Sequence, residues 1–388
     1  MQNSFIILQS SFIILIMDTN TILRPHIANM EAYTPILPFD VLSEQLGIPA
    51  GQIVKLDANE NPYGPLPDVQ AALANLRYTH IYPDPESRHL RAALAAYHGI
   101  PAENILIGAG ADELIDLVMR LILEPGDCIV NCPPTFGMYS FDAAVNNART
   151  ISVPRDRNFN LDVERIAAVV AESIPKAIFL ASPNNPDGGL VSPEMLDALL
   201  ELPTLLILDE AYIDFAPPGT SPLSQWERGW GEGNLVMLRT FSKWAGLAGL
   251  RLGYGIFPDW MMPHLWKIKQ PYNVSVAAER AGVVSLEHVD QLQIRAQKII
   301  VERERLFIAL QKLPWLQPYP TQANFILCKV IDRDAALLKA DLAQQGIFIR
   351  YFNKPGLDDH IRISVGTPEQ TDLLIAALKR GAYAYSND

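Results

Sequence analysis

The chain has 388 residues, of which 49% are hydrophobic and 19% are charged, so it can bury a large core and a disordered protein is excluded. The formal net charge of −12 argues against a nucleic-acid-binding protein, which would carry a basic surface. Three cysteines are too few for a disulfide framework and indicate a reducing compartment, and no apolar run has the length of a membrane span.

The N-terminal residues have an unusual composition. Residues 5–16 are apolar but are interrupted by Gln9, Ser10 and Ser11, and no lysine or arginine precedes Arg24. A secretory signal needs a basic segment before its apolar one. We therefore expect a poorly ordered extension over residues 1–29, with Met17 as an alternative start, and a cytoplasmic protein.

In the next part of the chain, short apolar runs alternate with helical patterns. Apolar residues recur at helical spacing over 86–97, 112–123 and 163–171. Strands are predicted at 105–107, 128–130, 177–180, 205–208, 235–238 and 254–257. This alternation is typical of an α/β domain with a mainly parallel sheet that helices cover on both faces.

The C-terminal part has a different pattern. A long helical stretch follows Leu286 and runs to about Leu313, and a closing helix begins at Glu369. Strands are predicted at 324–330, 346–350 and 361–365. We predict an N-terminal arm over 30–70, a large domain over 71–285 and a smaller α+β domain over 286–388. Residues 221–233, rich in Gly, Ser and Trp, are predicted to be an exposed insertion loop.

Polar groups follow four of the predicted strands, and ligands of α/β sheets bind at the carboxyl ends of strands. The four segments read GAGADE (108–113), SPNNPDGG (182–189), DEAY (209–212) and RTFSK (239–243). Taken singly, they could be a helix cap, a turn, an internal salt bridge and a solvated lysine. Together they supply a phosphate cup, an amide, an acid with a tyrosine, and a partly desolvated nucleophilic lysine. A pyridoxal-phosphate site requires this set of groups.

The chain resembles, from about Tyr33 to its end, the fold-type-I pyridoxal-phosphate aminotransferases. Besides the four segments above, the resemblance is carried by KLDANENPYGP (55–65), YPDPES (82–87), CPPTFGMY (132–139), AGLRLGY (248–254) and HIRISVG (360–366). It implies a large pyridoxal-phosphate domain, a smaller α+β domain, and a homodimer with a shared active site. One departure is that the family's usual NNPTG reads NNPDG here, with Asp187 in place of threonine.

The resemblance also implies roles for single residues. Lys243 is expected to bind the cofactor covalently and, with Asp209 and Tyr212, to be catalytic. Asp209 would pair with the pyridinium nitrogen, and Tyr212 and Asn185 would bond the phenolic oxygen. The remaining cofactor-binding residues are expected to be Phe136, stacked on the ring, and the phosphate ligands Ala111, Asp112, Thr240, Ser242, Arg251 and Tyr82, the last reaching the neighbouring subunit's phosphate.

Four residues are expected to contact substrates. Tyr33 and Asn59 would line the entrance, Arg362 would bind the co-substrate carboxylate, and Arg350 would bind a substrate phosphate. Within the family, ANENPYGP (58–65) and PPTFGMY (133–139) resemble the members that act on histidinol phosphate. The implied reaction converts L-histidinol phosphate and 2-oxoglutarate to imidazole acetol phosphate and L-glutamate in histidine biosynthesis. No metal and no nucleic-acid partner are expected.

Several alternatives remain open at this point. Phe136 could be a core residue, Tyr82 a turn residue, and Arg350 could pair with Asp358 or Asp359 at the surface. Aromatic amino-acid aminotransferases and phosphothreonine decarboxylases have the same fold, so these activities are alternatives. A transcription regulator would need a basic DNA-binding domain, and an inactive scaffold would not need to retain Lys243 and its surrounding motifs.

Overall fold

The computed structural model describes residues 8–9, 12–13, 22–31, 37–223 and 233–384, with backbone only at 8–9, 12–13 and 381–384. Contacts divide the chain into two compact units, Met1–Thr34 and Pro35–Asp388. Most of the predicted extension over 1–29 lies outside the described residues. So do Tyr33 and residues 224–232 of the predicted insertion loop. The domain boundaries at 29/30, 70/71 and 285/286 stay predictions.

The first unit holds little regular structure among its described residues. Strands β1 (Leu8–Gln9) and β2 (Phe12–Ile13) form an antiparallel pair, and α1 (Pro25–Ala28) is a short helix. Pro25 begins this helix, at the position where a missing N–H costs nothing.

The second unit contains two sheets within the described residues. Its strands are β3 (Val54–Leu56), β4 (Ile105–Gly108), β5 (Cys128–Asn131), β6 (Arg149–Ser152), β7 (Ala177–Ala181), β8 (Leu205–Asp209), β9 (Leu235–Thr240), β10 (Gly253–Ile256), β11 (Leu316–Pro318), β12 (Phe325–Val330), β13 (Ile347–Tyr351) and β14 (His360–Ser364). The large sheet has the order β4-β10-β9-β8-β7-β5-β6, and the small sheet has the order β11-β12-β14-β13-β3.

The large sheet is mainly parallel, as predicted. The adjacent strands β6, β5, β7, β8 and β9, in sheet order, are parallel to one another. Strand β10 is antiparallel to both of its neighbours, β9 and β4. Every residue of β7, β8 and β9 is buried. Alternate residues enter two separate cores, with Leu206 and Leu208 on one face of the sheet and Leu205 and Ile207 on the other. Both faces are therefore covered, which explains why these strands read as continuous apolar runs.

The helices are α2 (Phe39–Leu46), α3 (Pro67–Ala74), α4 (Arg88–His98), α5 (Ala111–Ile122), α6 (Met138–Val145), α7 (Val163–Ser173), α8 (Pro193–Leu200), α9 (Met262–Ile268), α10 (Val276–Glu287), α11 (Val289–Gln311), α12 (Ala335–Gln344) and α13 (Pro368–Ala384). Residues of α3 to α11 enter the two cores that cover the large sheet, whereas α12 and α13 pack against the small sheet. Several begin at a side chain that accepts a backbone N–H of the first turn, as Asp162, Ser192, Ser275 and Asp334 do. Among the described residues, no helix has the length and apolar character needed to cross a membrane.

The small sheet packs one face against α11, α12 and α13. Its core on this face includes Ile326, Ile361 and Ile363 together with Leu306 and Leu374. Residues that alternate with these along β13 and β14, including Arg350 and Arg362, lie on the opposite face. The small sheet therefore presents a charged face opposite its apolar one.

The helical stretch predicted after Leu286 begins at Val289 and ends at Gln311. It is preceded by α10, which the sequence analysis did not assign, and His288 is the only residue between the two helices.

Candidate active site

Many of the predicted site residues lie at one edge of the large sheet. Strands β7, β8 and β9 are parallel, and β4 runs in the same direction because β10 is antiparallel to both β4 and β9. The carboxyl ends of these four strands therefore meet at one edge. Asn185, Asp209 and Lys243 lie there, and Gly110 follows the end of β4.

Lys243 lies three residues after the buried strand β9. Its Nζ donates to the backbone oxygen of Ala58 at 3.3 Å and lies 5.8 Å from the centre of the Tyr212 ring. Burial and, second, the positive charge of Arg362 lower the pKa of Lys243 to about 8. A larger fraction of this amine than of an ordinary lysine is therefore uncharged near neutral pH and can act as a nucleophile or a base.

Asp209 ends β8 with its carboxyl group buried. Its Oδ2 accepts a hydrogen bond from the Tyr139 hydroxyl at 2.7 Å, and its Oδ1 accepts the N–H of Ala211 at 3.0 Å. Burial raises the pKa of Asp209 to about 6, although the Tyr139 hydrogen bond opposes this rise. A buried carboxylate with these two donors is suited to hold a cationic nitrogen.

Sequence reasoning missed Tyr139. This residue lies on α6, is fully buried, and packs its ring edge-to-face against Phe136 at 5.6 Å between ring centres. The sequence signal that could have indicated it is its position in CPPTFGMY, three residues after Phe136. Residues three apart lie on the same side of a helix, so Tyr139 could be expected near Phe136. Its hydroxyl is the only side-chain donor to Asp209 among the described residues.

Tyr212 is hydrogen-bonded to a residue predicted to line the entrance. The side-chain amide of Asn59 donates to the Tyr212 hydroxyl at 3.0 Å, and Asn59 also exchanges hydrogen bonds with Ser364 of β14. Asn324 donates to the backbone oxygen of Asn59 at 3.0 Å. Asn59 is only 1% exposed, so the structure places it against Tyr212, and its substrate contact stays a prediction.

Arg362 is bonded to Asn185. It donates to the side-chain oxygen of Asn185 and, at 2.8 Å, to the backbone oxygen of Asp57. Its guanidinium also lies over the ring of Phe325 at 5.2 Å. Because the Asn185 oxygen accepts from Arg362, the Asn185 NH₂ group is the part of this amide that can donate to a ligand.

The groups predicted to bind phosphate surround the start of α5. Gly110, at φ +82°, precedes Ala111, and no side chain caps the first N–H groups of this helix. Arg251 forms an ion pair with Asp112 at 2.7 Å. A Cβ on Gly110 would lie 2.5 Å from this guanidinium and would displace it, and the positive φ of Gly110 also favours glycine here.

Two hydroxyl groups complete this cup. The side chains of Thr240 and Ser242 are hydrogen-bonded at 2.9 Å beside the first residue of β10. Uncapped amides, a guanidinium and two hydroxyls are the donors that a phosphate monoester accepts. With Lys243 and Asp209 at the same sheet edge, the residues present fit pyridoxal phosphate.

Arg350 lies directly opposite Arg362 in the antiparallel pair of β13 and β14. It is half-buried, and its guanidinium lies 5.9 Å from the centre of the Phe352 ring. The alternative partner Asp359 is instead paired with Lys329 and His360. The two arginines therefore lie on the same face of the small sheet.

Tyr82 lies apart from this group. Its side chain is 79% exposed and its ring stacks on Tyr272 at 4.6 Å between ring centres. The structure thus brings Arg362 of the small sheet to Asn185 at the edge of the large sheet, with Arg350 opposite Arg362, and it places Tyr82 on the surface of this chain.

Comparisons with known proteins agree with this geometry. Residues 51–378 match the family described as Aminotransferase class I and II. A relative from Nicotiana tabacum, named histidinol-phosphate aminotransferase, chloroplastic, is 56% identical over 92% of this chain and 86% of its own length. A histidinol-phosphate aminotransferase from Roseiflexus castenholzii is 54% identical over 93% of this chain and 98% of its own.

A solved structure has a similar fold. The histidinol-phosphate aminotransferase from Sinorhizobium meliloti, in complex with pyridoxal-5'-phosphate, matches this chain with a TM-score of 0.84 and 30% sequence identity. The similarity covers 94% of this chain and 98% of that one.

Proposed function

The chain belongs to the class I and II aminotransferase family, and from this premise we propose that it transfers the amino group of L-histidinol phosphate to 2-oxoglutarate. The products are imidazole acetol phosphate and L-glutamate, and the reaction is a step of histidine biosynthesis. The enzyme depends on pyridoxal phosphate.

The observation that carries the substrate assignment is the pairing of Arg350 with Arg362 on one face of the small sheet. Histidinol phosphate carries a phosphate and no carboxylate, whereas glutamate carries two carboxylates. One site must accept both molecules. Phosphate and carboxylate both accept the planar fork of a guanidinium, so two arginines on one face of the sheet can serve either substrate. We assign the substrate phosphate to Arg350 and the co-substrate carboxylate to Arg362.

The proposal gives the residues at the sheet edge distinct tasks in holding the cofactor. Lys243 would bind it covalently, and Asp209 would keep its ring nitrogen protonated. Tyr212 and Asn185 would donate to its phenolic oxygen, and Phe136 would pack on its ring. Its phosphate would lie in the cup formed by Ala111, Asp112, Thr240, Ser242 and Arg251.

Pyridoxal phosphate, when bound, supplies an electron sink for the carbon that loses its proton. The Nζ of Lys243 would take this proton from the substrate carbon that carries the amino group, and would return it as the acid. Its lowered pKa of about 8 suits both directions near neutral pH. Asp209, held by Tyr139, would keep its negative charge directed at the ring nitrogen throughout.

We also propose a homodimer with a shared active site and a cytoplasmic location. The exposed ring of Tyr82 supports the first, because it extends from the surface as a residue serving a neighbouring subunit would. Three free buried cysteines suit a reducing compartment. Cell fractionation tests the location, and recovery with plastids, the compartment named for the tobacco relative, would contradict the proposal.

A single half-reaction tests the proposed function. The enzyme loaded with its cofactor is mixed with histidinol phosphate in the absence of any keto acid, and the visible spectrum is followed. We expect the absorption band of the lysine-bound cofactor to be replaced by that of pyridoxamine phosphate. A band that persists with histidinol phosphate but disappears with phenylalanine or tyrosine would assign the enzyme to aromatic amino acids instead.

A further inference from the structure

The two arginines of the small sheet share one aromatic neighbour, which has no task in the mechanism above. Phe352 is the first residue after β13. The centre of its ring lies 5.9 Å from the guanidinium carbon of Arg350 and 5.7 Å from that of Arg362. A cation within about 6 Å of an aromatic ring is attracted by the negative charge of the ring face. One ring is therefore placed to attract two cations that face each other on neighbouring strands.

The surroundings of Phe352 hold its ring in place. The side chain is half-buried and packs against a cluster formed by Phe159, Leu327 and Leu357. Leu327 lies opposite Arg362 in the pair of β12 and β14, and Phe159 comes from the segment between β6 and α7. Close packing of this kind restricts a ring to few orientations. The two guanidiniums therefore lie against a ring that is itself fixed.

The two arginines depend on this ring to different degrees. Arg362 also donates to the side chain of Asn185 and lies over a second ring, that of Phe325, at 5.2 Å. Within the described ranges, the side chain of Arg350 makes no hydrogen bond and no ion pair, and its contact with Phe352 is the one that fixes its guanidinium. A change at Phe352 should therefore affect Arg350 more than Arg362.

We propose that Phe352 is a positioning residue, which orients Arg350 and, to a smaller extent, Arg362 for the anionic groups of the two substrates. This inference rests on the proposed function, in which Arg350 binds the substrate phosphate and Arg362 the co-substrate carboxylate. A guanidinium fork has to match two oxygens of its ligand, so a guanidinium that is already oriented loses less entropy on binding. Attraction to the ring also offsets part of the repulsion between the facing cations before a substrate binds.

The variant Phe352→Leu separates the packing of the ring from its attraction for cations. A leucine side chain still packs against the apolar cluster, but it has no π face. We expect KM for histidinol phosphate to rise about three- to tenfold, the effect of one lost cation–π contact, with kcat close to the wild-type value. The apparent Kd of glutamate, from the saturation of its half-reaction rate, should rise only about twofold, because Arg362 keeps its other contacts.

The test compares the cofactor-loaded wild type with Phe352→Leu, Phe352→Tyr and a control variant. Phe352→Tyr retains the π face and should restore both constants to near the wild-type values. The control is Phe348→Leu, at a ring on the same strand that packs against Leu42 and Ile53. It should lower Tm and leave both constants unchanged. If Phe352→Leu does not fold, Phe352→Met fills the space with a flexible apolar side chain and tests the same loss.

A double variant tests whether the ring acts through Arg350. In the background of Arg350→Gln, the change Phe352→Leu should have little further effect on KM for histidinol phosphate, because the group that the ring positions is absent. The same change should still raise the apparent Kd of glutamate about twofold, since Arg362 is present. Effects on KM for histidinol phosphate that simply multiply would contradict positioning through Arg350.

A ring that serves only to pack gives a different pattern. If Phe352→Leu lowers Tm as Phe348→Leu does but retains the wild-type constants for both substrates, Phe352 is not a positioning residue. The proposed function fails separately. A wild type that reacts with glutamate but not with histidinol phosphate would overturn the proposed substrate, while the glutamate half-reaction would still test Phe352 through Arg362.

Discussion

Arg350 and Arg362 occupy facing positions on the antiparallel strands β13 and β14, with Arg362 buried and Arg350 half-buried. Directly opposed cations are unfavourable in a sheet, so an anionic ligand is expected to offset their repulsion. Arg362 is held by Asn185 and the backbone of Asp57, whereas Arg350 has the freer position on the face. The two arginines can therefore divide the recognition of substrate and co-substrate.

The first prediction concerns Arg350. Arg350→Lys keeps the charge but loses the fork that grips a phosphate, so we expect KM for histidinol phosphate to rise about tenfold with little change in kcat. Steady-state kinetics with histidinol phosphate and with unphosphorylated histidinol measure the effect. The ratio of kcat/KM for histidinol phosphate to kcat/KM for histidinol should be smaller for the variant than for the wild type. Unchanged kinetics with histidinol phosphate would remove Arg350 from the phosphate site.

The second prediction concerns the donor that holds Asp209. Asp209→Asn should lower kcat about a hundredfold or more, because the charge beside the ring nitrogen is lost. Tyr139→Phe should lower kcat less, about tenfold, and should move the acidic limb of the kcat–pH profile to higher pH. The sign follows because the Tyr139 hydrogen bond lowers the pKa of Asp209, so its loss raises that pKa. Tyr78→Phe, at an exposed tyrosine, is the matched control.

The third prediction concerns the pH dependence of Lys243. In the cofactor-free protein, the rate of covalent cofactor uptake should rise with pH through a midpoint near the Lys243 pKa of about 8, because the neutral amine reacts. Arg362→Gln removes a charge that lowers this pKa and should shift the midpoint upward. Arg350→Gln removes a charge that is not among the main causes of the lowered Lys243 pKa, so the midpoint should move much less.

The same group affects stability with a defined sign. Between pH of about 8 and 10.5 the unfolded chain holds the Lys243 proton that the folded chain has released. The contribution of Lys243 to the free energy of unfolding therefore rises with pH over this window and is lost as pH falls through 8. Urea unfolding of both cofactor-free proteins measures this effect. Between pH 8 and 10.5 the free energy of unfolding should rise more steeply with pH for the wild type than for Lys243→Met.

The fourth prediction concerns subunit sharing. Tyr82→Ala and Lys243→Ala should each be nearly inactive as homodimers. When the two are mixed and allowed to exchange subunits, half of the dimers are mixed and each of these has one intact site, so activity should recover to about a quarter of wild type. An assay after mixing measures this, and no recovery despite proven exchange would place Tyr82 outside the neighbour's site.

The fifth prediction concerns a buried ion pair beneath the site. Glu210 bonds Arg239 at 2.8 Å, and both side chains are buried. Glu210→Gln should lower the free energy of unfolding by about 3–5 kcal/mol, since it leaves Arg239 buried without its counter-charge. Glu287→Gln removes an exposed partner of Arg280 and should cost no more than about 1 kcal/mol. Urea unfolding measures both.

The large sheet was predictable because its strands are buried on both faces and so form unbroken apolar runs. The predicted strands of both sheets are confirmed within a residue or two. The missed strands lack such runs. β6 is an edge strand with exposed ends, and β3 has three residues whose partner β13 lies almost at the other end of the chain. Short non-local strands carry too little local pattern to be recognised.

The site divides along a similar line. Residues within motifs, such as Asp209 and Lys243, were found because residue type and position after a strand together indicate their chemistry. Tyr139 was not found as part of the site, because its significance depends on which group its hydroxyl meets in three dimensions. A buried hydroxyl or guanidinium has no sequence signal that distinguishes it from an exposed one.

The reversed direction of β10 has a consequence for how the cofactor is retained. Because β10 begins at the edge where β9 ends, the single connection between them, residues 241–252, carries both Lys243 and Arg251. In the proposed site these residues bind two different groups of one small molecule, its reactive carbon and its phosphate. The connection then acts as a bivalent receptor. Once either group is bound, the other meets its ligand residue at a high effective concentration, so release requires both attachments to open together.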